Sequence, residues 1–315
     1  MKEIDVLISE VGPRDGLQSI DTIMSTEHKK EWIKAEAGAG VREIEVGSFV
    51  PPKFLPQMAD AFEIVQFAKD IPNLTVVALV PNFIGAKNAI DAGADKICLP
   101  LSVSETHSQA NLKKSHDEVL EEIRKISDHI QQIEESMRPE FEGNLSTAFG
   151  CTLEGKVSED LVLELGARMM ELGCDEIGLS DTTGYANPNQ IKRLIRLLKK
   201  EVGQENLKSM HLHNTRGLGL ANALASLEEG ITTLDSSLGG IGGCPFAPGA
   251  SGNIVTEDLV FMLDAMGVET GIDINKLLEV TNKVQSFIPN ENIYGFTKDS
   301  GLPIGYEKGW GIVRS

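Results

Sequence analysis

Short apolar runs alternate with longer amphipathic runs along most of the chain. The short runs are rich in Val, Ile and Leu, as is typical of strands buried on both faces. The longer runs carry apolar residues at helical spacing. The pattern predicts strands at Asp5–Glu10, Glu43–Val46, Leu74–Leu79, Lys96–Leu99, Leu145–Phe149, Glu176–Leu179, Met210–His213 and Thr233–Asp235. Between them it predicts helices, among them Thr26–Ala37, Asp60–Lys69, His116–Glu135, Glu159–Glu171, Asn187–Glu201 and Gly219–Glu229.

Eight strands in regular alternation with helices indicate an α/β fold with a parallel sheet and right-handed crossovers. In 315 residues this count favours a (β/α)₈ TIM barrel. The alternative is an open doubly wound sheet, but no GxGxxG motif follows the first strand. From about Gly271 the pattern predicts an extra C-terminal helical segment outside the barrel. We therefore predict a catalytic barrel domain over residues 1–288 and a tail over residues 289–315 packed on it.

The charge balance excludes some classes of partner. Lys and Arg number 29 and Asp and Glu number 47, which leaves a formal charge of −18. A general nucleic-acid binder needs a basic face, and an anionic membrane repels such a chain, so we expect neither partner. No apolar stretch resembles a signal peptide or a membrane span. Four scattered cysteines without a CxxC pair predict a reduced, cytoplasmic protein.

The pair His211 and His213 at the end of the seventh predicted strand is the main candidate for a metal site. Residues two apart on a strand point the same way, so both imidazoles could bind one ion. Asp15 and Asn253 follow other strand ends and could complete the ligands. Mixed nitrogen and oxygen ligands suit Mg²⁺, Mn²⁺, Zn²⁺ or Co²⁺. The alternative is that the histidines only form hydrogen bonds inside the barrel.

Four further residues at the predicted strand ends could take part in catalysis. Arg14 could stabilise negative charge on an oxygen, or form a structural salt bridge. Glu45 and Asp181 could act as general acid or base, or support neighbouring residues. Cys244 lies in a glycine-rich stretch that could deliver a thiol to the site, or that could simply form tight turns.

Three segments together resemble the 3-hydroxy-3-methylglutaryl-CoA (HMG-CoA) lyase family, which belongs to the metal-dependent lyase and Claisen-condensing TIM barrels. They are residues 11–18 (VGPRDGLQ), 240–247 (GIGGCPFA) and 249–253 (GASGN). The resemblance extends over most of the chain. It implies an enzyme that cleaves HMG-CoA to acetyl-CoA and acetoacetate by a retro-Claisen reaction.

The resemblance also implies a role for each matching residue. Asp15, His211, His213 and Asn253 would bind a divalent metal, with Mg²⁺ or Mn²⁺ expected. Arg14 would stabilise the enolate oxygen and Cys244 would protonate the enolate carbon, while Glu45 and Asp181 would support substrate and catalysis. The implied partner is an acyl-CoA substrate, the implied assembly is a homo-oligomer, and leucine degradation is an associated pathway.

The chain departs from the family pattern at two places. Asn214 stands where the lyases usually have an aspartate after the second histidine, and Ser19-Ile20-Asp21 offers no lysine to the phosphates of CoA. Two related activities therefore stay open, a lyase for another 3-hydroxyacyl-CoA such as citramalyl-CoA and a Claisen-condensing acyltransferase. A barrel that only binds acyl-CoA is the alternative of a different class. Arg216 could bind a substrate carboxylate or brace its own loop, and we favour bracing.

Overall fold

The computed structural model describes residues 4–242 and 252–309. Eight parallel strands follow one another around a closed barrel, and the eighth pairs with the first. The predicted TIM barrel is therefore confirmed. The strands are β1 (Leu7–Glu10), β2 (Glu43–Ser48), β3 (Thr75–Leu79), β4 (Lys96–Ser102), β5 (Glu140–Ser146), β6 (Glu176–Asp181), β7 (Leu207–Leu212) and β8 (Thr233–Ser236).

Helices surround the barrel and shield the outer faces of the strands. After β8, α9 is followed by α10, which packs against α1 and α9, and by α11, which packs against α9. The extra C-terminal helical segment is thus confirmed, while the domain boundary at residue 288 stays a prediction. The helices are α1 (Thr26–Ala39), α2 (Ala61–Lys69), α3 (Phe83–Ala92), α4 (Glu105–Asn111), α5 (His116–Ile130), α6 (Glu159–Glu171), α7 (Pro188–Val202), α8 (Gly219–Glu228), α9 (Thr256–Ala265), α10 (Ile274–Phe287) and α11 (Phe296–Ser300). Across the described ranges, no helix has the length and apolar character needed to cross a bilayer.

Helix α7 illustrates how the sequence forms the outer ring. The side chain of Asn187 accepts a hydrogen bond from the backbone N–H of Gln190 and so caps the first turn. Pro188 occupies the first helical position, where its missing N–H costs no hydrogen bond. Buried apolar residues recur every three or four positions, which directs one stripe of the helix toward the strands. These residues are Ile191, Leu194, Ile195, Leu198 and Val202.

The predicted position of the fifth strand was wrong. We expected Leu145–Phe149, whereas β5 spans Glu140–Ser146. Its alternate residues Glu142 and Asn144 line the inside of the barrel, while Phe141 and Leu145 pack in the hydrophobic core outside it. Because the inward side of this strand is charged and polar, it lacks the continuous apolar run that a strand buried on both faces normally shows.

The floor of the barrel holds ion pairs, where branched apolar side chains commonly fill such a barrel. The buried ammonium of Lys96 lies 2.7 Å from a carboxylate oxygen of Glu142 and also pairs with Glu176. Ser209 donates a hydrogen bond of 2.8 Å to Glu142, and Lys208 lies 2.9 Å from the second oxygen of Glu176. The hydrophobic core therefore lies mainly between strands and helices, and polar groups line much of the barrel interior.

Three carboxyl groups, those of Glu10, Glu36 and Glu257, are fully buried behind β1. Burial raises the pKa of Glu10 to about 8 and that of Glu257 to about 7. Burial, with the nearby Glu10, raises the pKa of Glu36 well above its usual 4.5. Glu10 accepts hydrogen bonds from the backbone N–H groups of Gly12 and Leu238, so this cluster supports the loops after β1 and β8.

We expect the stability of the protein to fall as pH rises from about 5 to 8. The folded state holds protons on these carboxyls that the unfolded chain releases near 4.5, so the linked stability is complete below that pH. It decreases between pH 4.5 and the pKa of each group in the folded state, at up to about 1.4 kcal/mol per pH unit for each group, and is fully lost above that pKa. Glu36→Gln, which cannot ionise, should flatten this loss in chemical denaturation at several pH values. The exposed control Glu171→Gln should follow wild type, and equal slopes for all three proteins would contradict the prediction.

Candidate active site

A cavity of about 610 Å³ opens where the strands end and the following loops begin. This is the end of a TIM barrel at which active sites are found. The inner wall is formed by inward-facing residues of the strands, which are mainly polar but include Val77 and Leu79 of β3. Residues beyond the strands that line the cavity include the apolar Val50, Phe54 and Leu55 and the polar Asn111 and Lys113.

The turn after β1 places Arg14 and Asp15 at the cavity. Residues Gly12–Gly16 form one π-helical turn, in which the backbone N–H groups of Arg14, Asp15 and Gly16 all donate to the carbonyl of Val11. Such wide turns recur at functional sites. The two neighbouring side chains therefore emerge from the same tight turn beside the cavity.

Arg14 connects two carboxylates of the site. Its guanidinium donates to Glu45 of β2 and, over 2.6 Å, to Oδ1 of Asp15. Burial alone would raise the pKa of Glu45 further, but the Arg14 charge opposes this and the pKa lies at about 7. The planar guanidinium is thus held in one orientation and still borders the cavity.

Asp15, His211 and His213 form a group that could hold a metal ion. One ligand atom from each lies within 4.8 Å of the others. The Nε2 atoms of the two histidines face each other at 3.1 Å. His211 lies on β7, and His213 follows the strand end, where a short bridge pairs it with Asn253.

The surroundings of Asn253 fit a fourth ligand. Its amide nitrogen lies 2.7 Å from Oδ2 of Asp15, while its buried oxygen has no hydrogen-bond partner in the described chain. An amide turned by 180° has the same shape and would direct that oxygen to the metal group. Gly242 closes over this point, where a Cβ would lie 2.5 Å from the Asn253 amide nitrogen. The donor set, one carboxylate, two imidazoles and one amide oxygen, suits a divalent cation.

The charge states of Asp15 and His213 suit ligation as well. Burial favours a neutral Asp15, but the charges of Arg14, His211 and His213 and the hydrogen bond from Asn253 together outweigh it and lower the pKa of Asp15 to about 2. Burial, helped by His211, lowers the pKa of His213 to about 3, so this imidazole is neutral at neutral pH. Burial also opposes a charge on His211, yet its hydrogen bond to Asp235 raises the pKa. An ionised carboxylate and a neutral imidazole are the forms that bind metals.

Asp181 lies at the end of β6, where its carboxylate organises the following loop. It accepts hydrogen bonds from the backbone N–H groups of Tyr185 (2.8 Å) and Ala186 (3.1 Å). Burial raises its pKa to about 6. Its neighbours Ser180 and Thr182 line the cavity, while Asp181 does not. The structure therefore brings Arg14, Asp15, Glu45, His211, His213 and Asn253 together and leaves Asp181 just behind them.

Comparison with known proteins identifies the family. The sequence model of the HMGL-like family matches residues 5–284. The chain belongs to the HMGL-like family. The matched range covers every described strand of the barrel and every described residue of the candidate site.

Relatives within this family agree over nearly their whole lengths. The hydroxymethylglutaryl-CoA lyase YngG of Bacillus subtilis is 38% identical over 295 residues, which are 92% of this chain and 97% of that protein. The human mitochondrial hydroxymethylglutaryl-CoA lyase is 40% identical over 277 residues, 88% of this chain and 84% of that protein. The solved HMG-CoA lyase of Acinetobacter baumannii, in complex with coenzyme A and 3-methylmalate, has a TM-score of 0.90 at 38% identity and covers 98% of this chain and 99% of its own.

Cys244, the candidate acid of the family motif, lies outside the described residues. Gly242 and Gly252 flank residues 243–251 in the chain and pack against each other beside the metal group. A Cβ on Gly252 would clash with the carbonyl of Gly242, and a Cβ on Gly242 would lie 3.3 Å from Asp15. Both glycines have positive φ, so this close approach needs residues without a side chain.

Asn214, where this chain departs from the family pattern, and the nearby Arg216 form contacts within the loop after β7 and with neighbouring segments. The side-chain oxygen of Asn214 accepts a hydrogen bond of 3.0 Å from the backbone N–H of Gly219 at the start of α8. Arg216 donates to the carbonyls of Thr183 and Gly184, and its guanidinium lies 4.5 Å from the Tyr185 ring centroid. These contacts support the bracing role that we favoured for Arg216.

Sequence reasoning missed two neighbours of the metal group. Asp235 of β8 accepts a hydrogen bond from Nδ1 of His211 at 3.1 Å, and Gln18 donates to Asp15 at 2.9 Å. Gln18 was visible in the family motif, but nothing distinguished it there from its neighbours. A carboxylate at the end of the last predicted strand was the available indication for Asp235.

Proposed function

We propose that this chain is a divalent-metal-dependent lyase that cleaves HMG-CoA to acetyl-CoA and acetoacetate. The observation that carries the proposal is that a metal-binding group and a guanidinium cation lie next to each other in one cavity. The metal-binding group and the Arg14 guanidinium meet at Asp15, which belongs to both. A retro-Claisen cleavage develops negative charge on two oxygens, so a cation at each lowers the barrier. The names of the relatives at 38–40% identity support HMG-CoA as the substrate.

The residues divide the reaction between them. A divalent ion held by Asp15, His211, His213 and Asn253 would acidify the tertiary hydroxyl of the substrate. When a base removes the hydroxyl proton, the C2–C3 bond breaks and its electron pair passes into the thioester as an enolate. Arg14 stabilises the enolate oxygen, and the Cys244 thiol gives its proton to C2, which becomes the methyl group of acetyl-CoA. Glu45 holds Arg14 in place, and Glu45 and Asp181 stay our candidates for acid–base support.

We propose Mg²⁺ or Mn²⁺ as the ion, because Asp15 and Asn253 add oxygen ligands and the substrate would add more. From the family resemblance and the composition we also propose an acyl-CoA ligand, a homo-oligomer, a cytoplasmic location and a part in leucine degradation.

Product analysis tests the proposal directly. Metal-loaded protein is incubated with HMG-CoA, with and without a chelator, and the products are identified by mass spectrometry. We expect acetyl-CoA and acetoacetate in equal amounts, and loss of both with the chelator. A folded, metal-bound protein that forms neither product would refute the proposal. Citramalyl-CoA, and acetyl-CoA with a 2-oxo acid, serve as substrates for the two related activities. Because the side chain of Asn214 accepts a hydrogen bond from the backbone N–H of Gly219, it gives no support to either of them.

Lys113 gives a separate prediction about the CoA part of the substrate. It is exposed at the cavity wall, and within the described ranges it forms no ion pair, whereas its neighbour Lys114 pairs with Glu122 at 3.2 Å. In a chain of net charge −18, such a lysine is a suitable contact for the phosphates of CoA.

Lys113→Glu should raise KM for HMG-CoA roughly five- to tenfold with little change in kcat, because it removes binding common to ground and transition states. The pantetheine thioester, which lacks the nucleotide, should show no such change. Lys87→Glu on α3 is the control of equal charge change away from the cavity. An equal rise in KM for both substrates would exclude a phosphate contact.

A further inference from the structure

We propose that Asp235 is a positioning residue that fixes His211 as a metal ligand through one ring nitrogen. The inference rests on the proposed function only for the presence of a divalent metal, and not for the identity of the substrate. Asp235 belongs to neither the metal group nor the family motif from which the site was predicted.

The sheet itself brings the two residues together. Asp235 of β8 and His211 of β7 are partners in the strand register, so their side chains leave the sheet side by side. Oδ2 of Asp235 lies 3.1 Å from Nδ1 of His211. Both side chains are largely shielded, with exposures of 18% and 11%. Water therefore competes little with this hydrogen bond.

The position of one proton follows from the chemistry of the pair. An ionised carboxylate only accepts hydrogen bonds, so Nδ1 of His211 must carry the ring proton. A neutral imidazole has one N–H, which leaves a lone pair on Nε2. That is the nitrogen facing His213, at 3.1 Å from its Nε2. The carboxylate thus selects the tautomer in which His211 presents a ligand atom to the metal group.

The second histidine lacks the same support. Nδ1 of His213 is buried and has no hydrogen-bond partner in the part of the chain that the structure describes. Asp235 consequently orients one of the two imidazoles, and His213 is held by backbone pairing with Asn253. In the described chain, the contact between Asp235 and His211 is the only side-chain hydrogen bond between a carboxylate and a ligand imidazole. Replacing Asp235 therefore removes the only support of this kind.

Metal affinity measured without substrate tests the inference. Mn²⁺ is titrated into the metal-free full-length chain, and free Mn²⁺ is followed by electron paramagnetic resonance. Asp235→Asn should weaken binding 10- to 100-fold, the usual effect of losing such a partner, with a melting temperature of the metal-free protein close to wild type. The matched control is Glu43→Gln, which removes another carboxylate lining the same cavity and should change the affinity less than threefold.

An unchanged Mn²⁺ affinity of Asp235→Asn would overturn the inference. An equal loss of affinity in Glu43→Gln would also overturn it, because net charge alone would then explain the effect. Nitrogen NMR of the Zn²⁺-loaded wild type gives a second readout that needs no variant. We expect the ring proton of His211 on Nδ1, and a proton on Nε2 would equally overturn the inference. If wild type binds Mn²⁺ but cleaves no HMG-CoA, the proposed function fails while the inference stands.

Discussion

Replacing Arg14 by glutamine should lower kcat roughly 10³-fold and leave bound metal near one ion per chain. The expected loss reflects the removal of a preorganised cation from the developing enolate oxygen in a shielded site. Steady-state kinetics with HMG-CoA give kcat, and elemental analysis of the purified variant gives the metal content. Loss of metal together with activity would show that Arg14 acts mainly by holding Asp15.

A double variant separates catalysis from stability. Arg14 neutralises the buried carboxylates of Glu45 and Asp15, so the single variant leaves them uncompensated. Breaking a buried pair from one side commonly costs about 3–5 kcal/mol. Adding Glu45→Gln to Arg14→Gln should recover stability in thermal unfolding without recovering kcat. If activity returns with stability, the assigned role of Arg14 in catalysis is wrong.

Cys244→Ser should lower kcat by roughly 10²- to 10⁴-fold, the range for loss of a general acid. A serine hydroxyl is a much weaker acid than a thiol, while its size is similar. Metal content should stay near wild type, because the proposed ligands are Asp15, His211, His213 and Asn253. A variant that loses its metal would contradict the assigned role.

Cys98 supplies a matched control for this substitution. Cys98 lines the cavity, but burial raises the pKa of its thiol well above the usual 9.0, so it is a poor proton donor. Cys98→Ser should change kcat only a few-fold. Similar losses in the two variants would indicate a general effect of polar substitution in the cavity.

The pattern of apolar runs predicted the barrel well because most of its strands are buried on both faces. It failed at β5, where Glu142 and Asn144 point into the barrel and interrupt the apolar run. The inward-facing polar residues that made this strand difficult to predict also line the cavity.

The candidate ligands were predictable because they lie in recognisable motifs at strand ends. Asp15, His211, His213 and Asn253 meet in space, although 238 positions separate the first from the last. Asp235 was not predictable in the same way, since its contact with His211 depends on the register between β7 and β8. Likewise, Asp181 follows the expected strand, but only the hydrogen bonds from Tyr185 and Ala186 show that it turns toward its own loop.

Because ion pairs occupy the floor of the barrel, the tightly packed apolar side chains form a ring between the strands and the helices. This apolar ring surrounds a largely polar barrel interior. Phe141 and Leu145 belong to the apolar ring, and Lys96 and Glu142 belong to the barrel interior. The packing that stabilises the fold and the groups that take part in the chemistry therefore lie on opposite faces of the same strands. An engineer could thus redesign alternate positions of one strand for two independent purposes, tolerance to heat on the outer face and choice of reaction on the inner one.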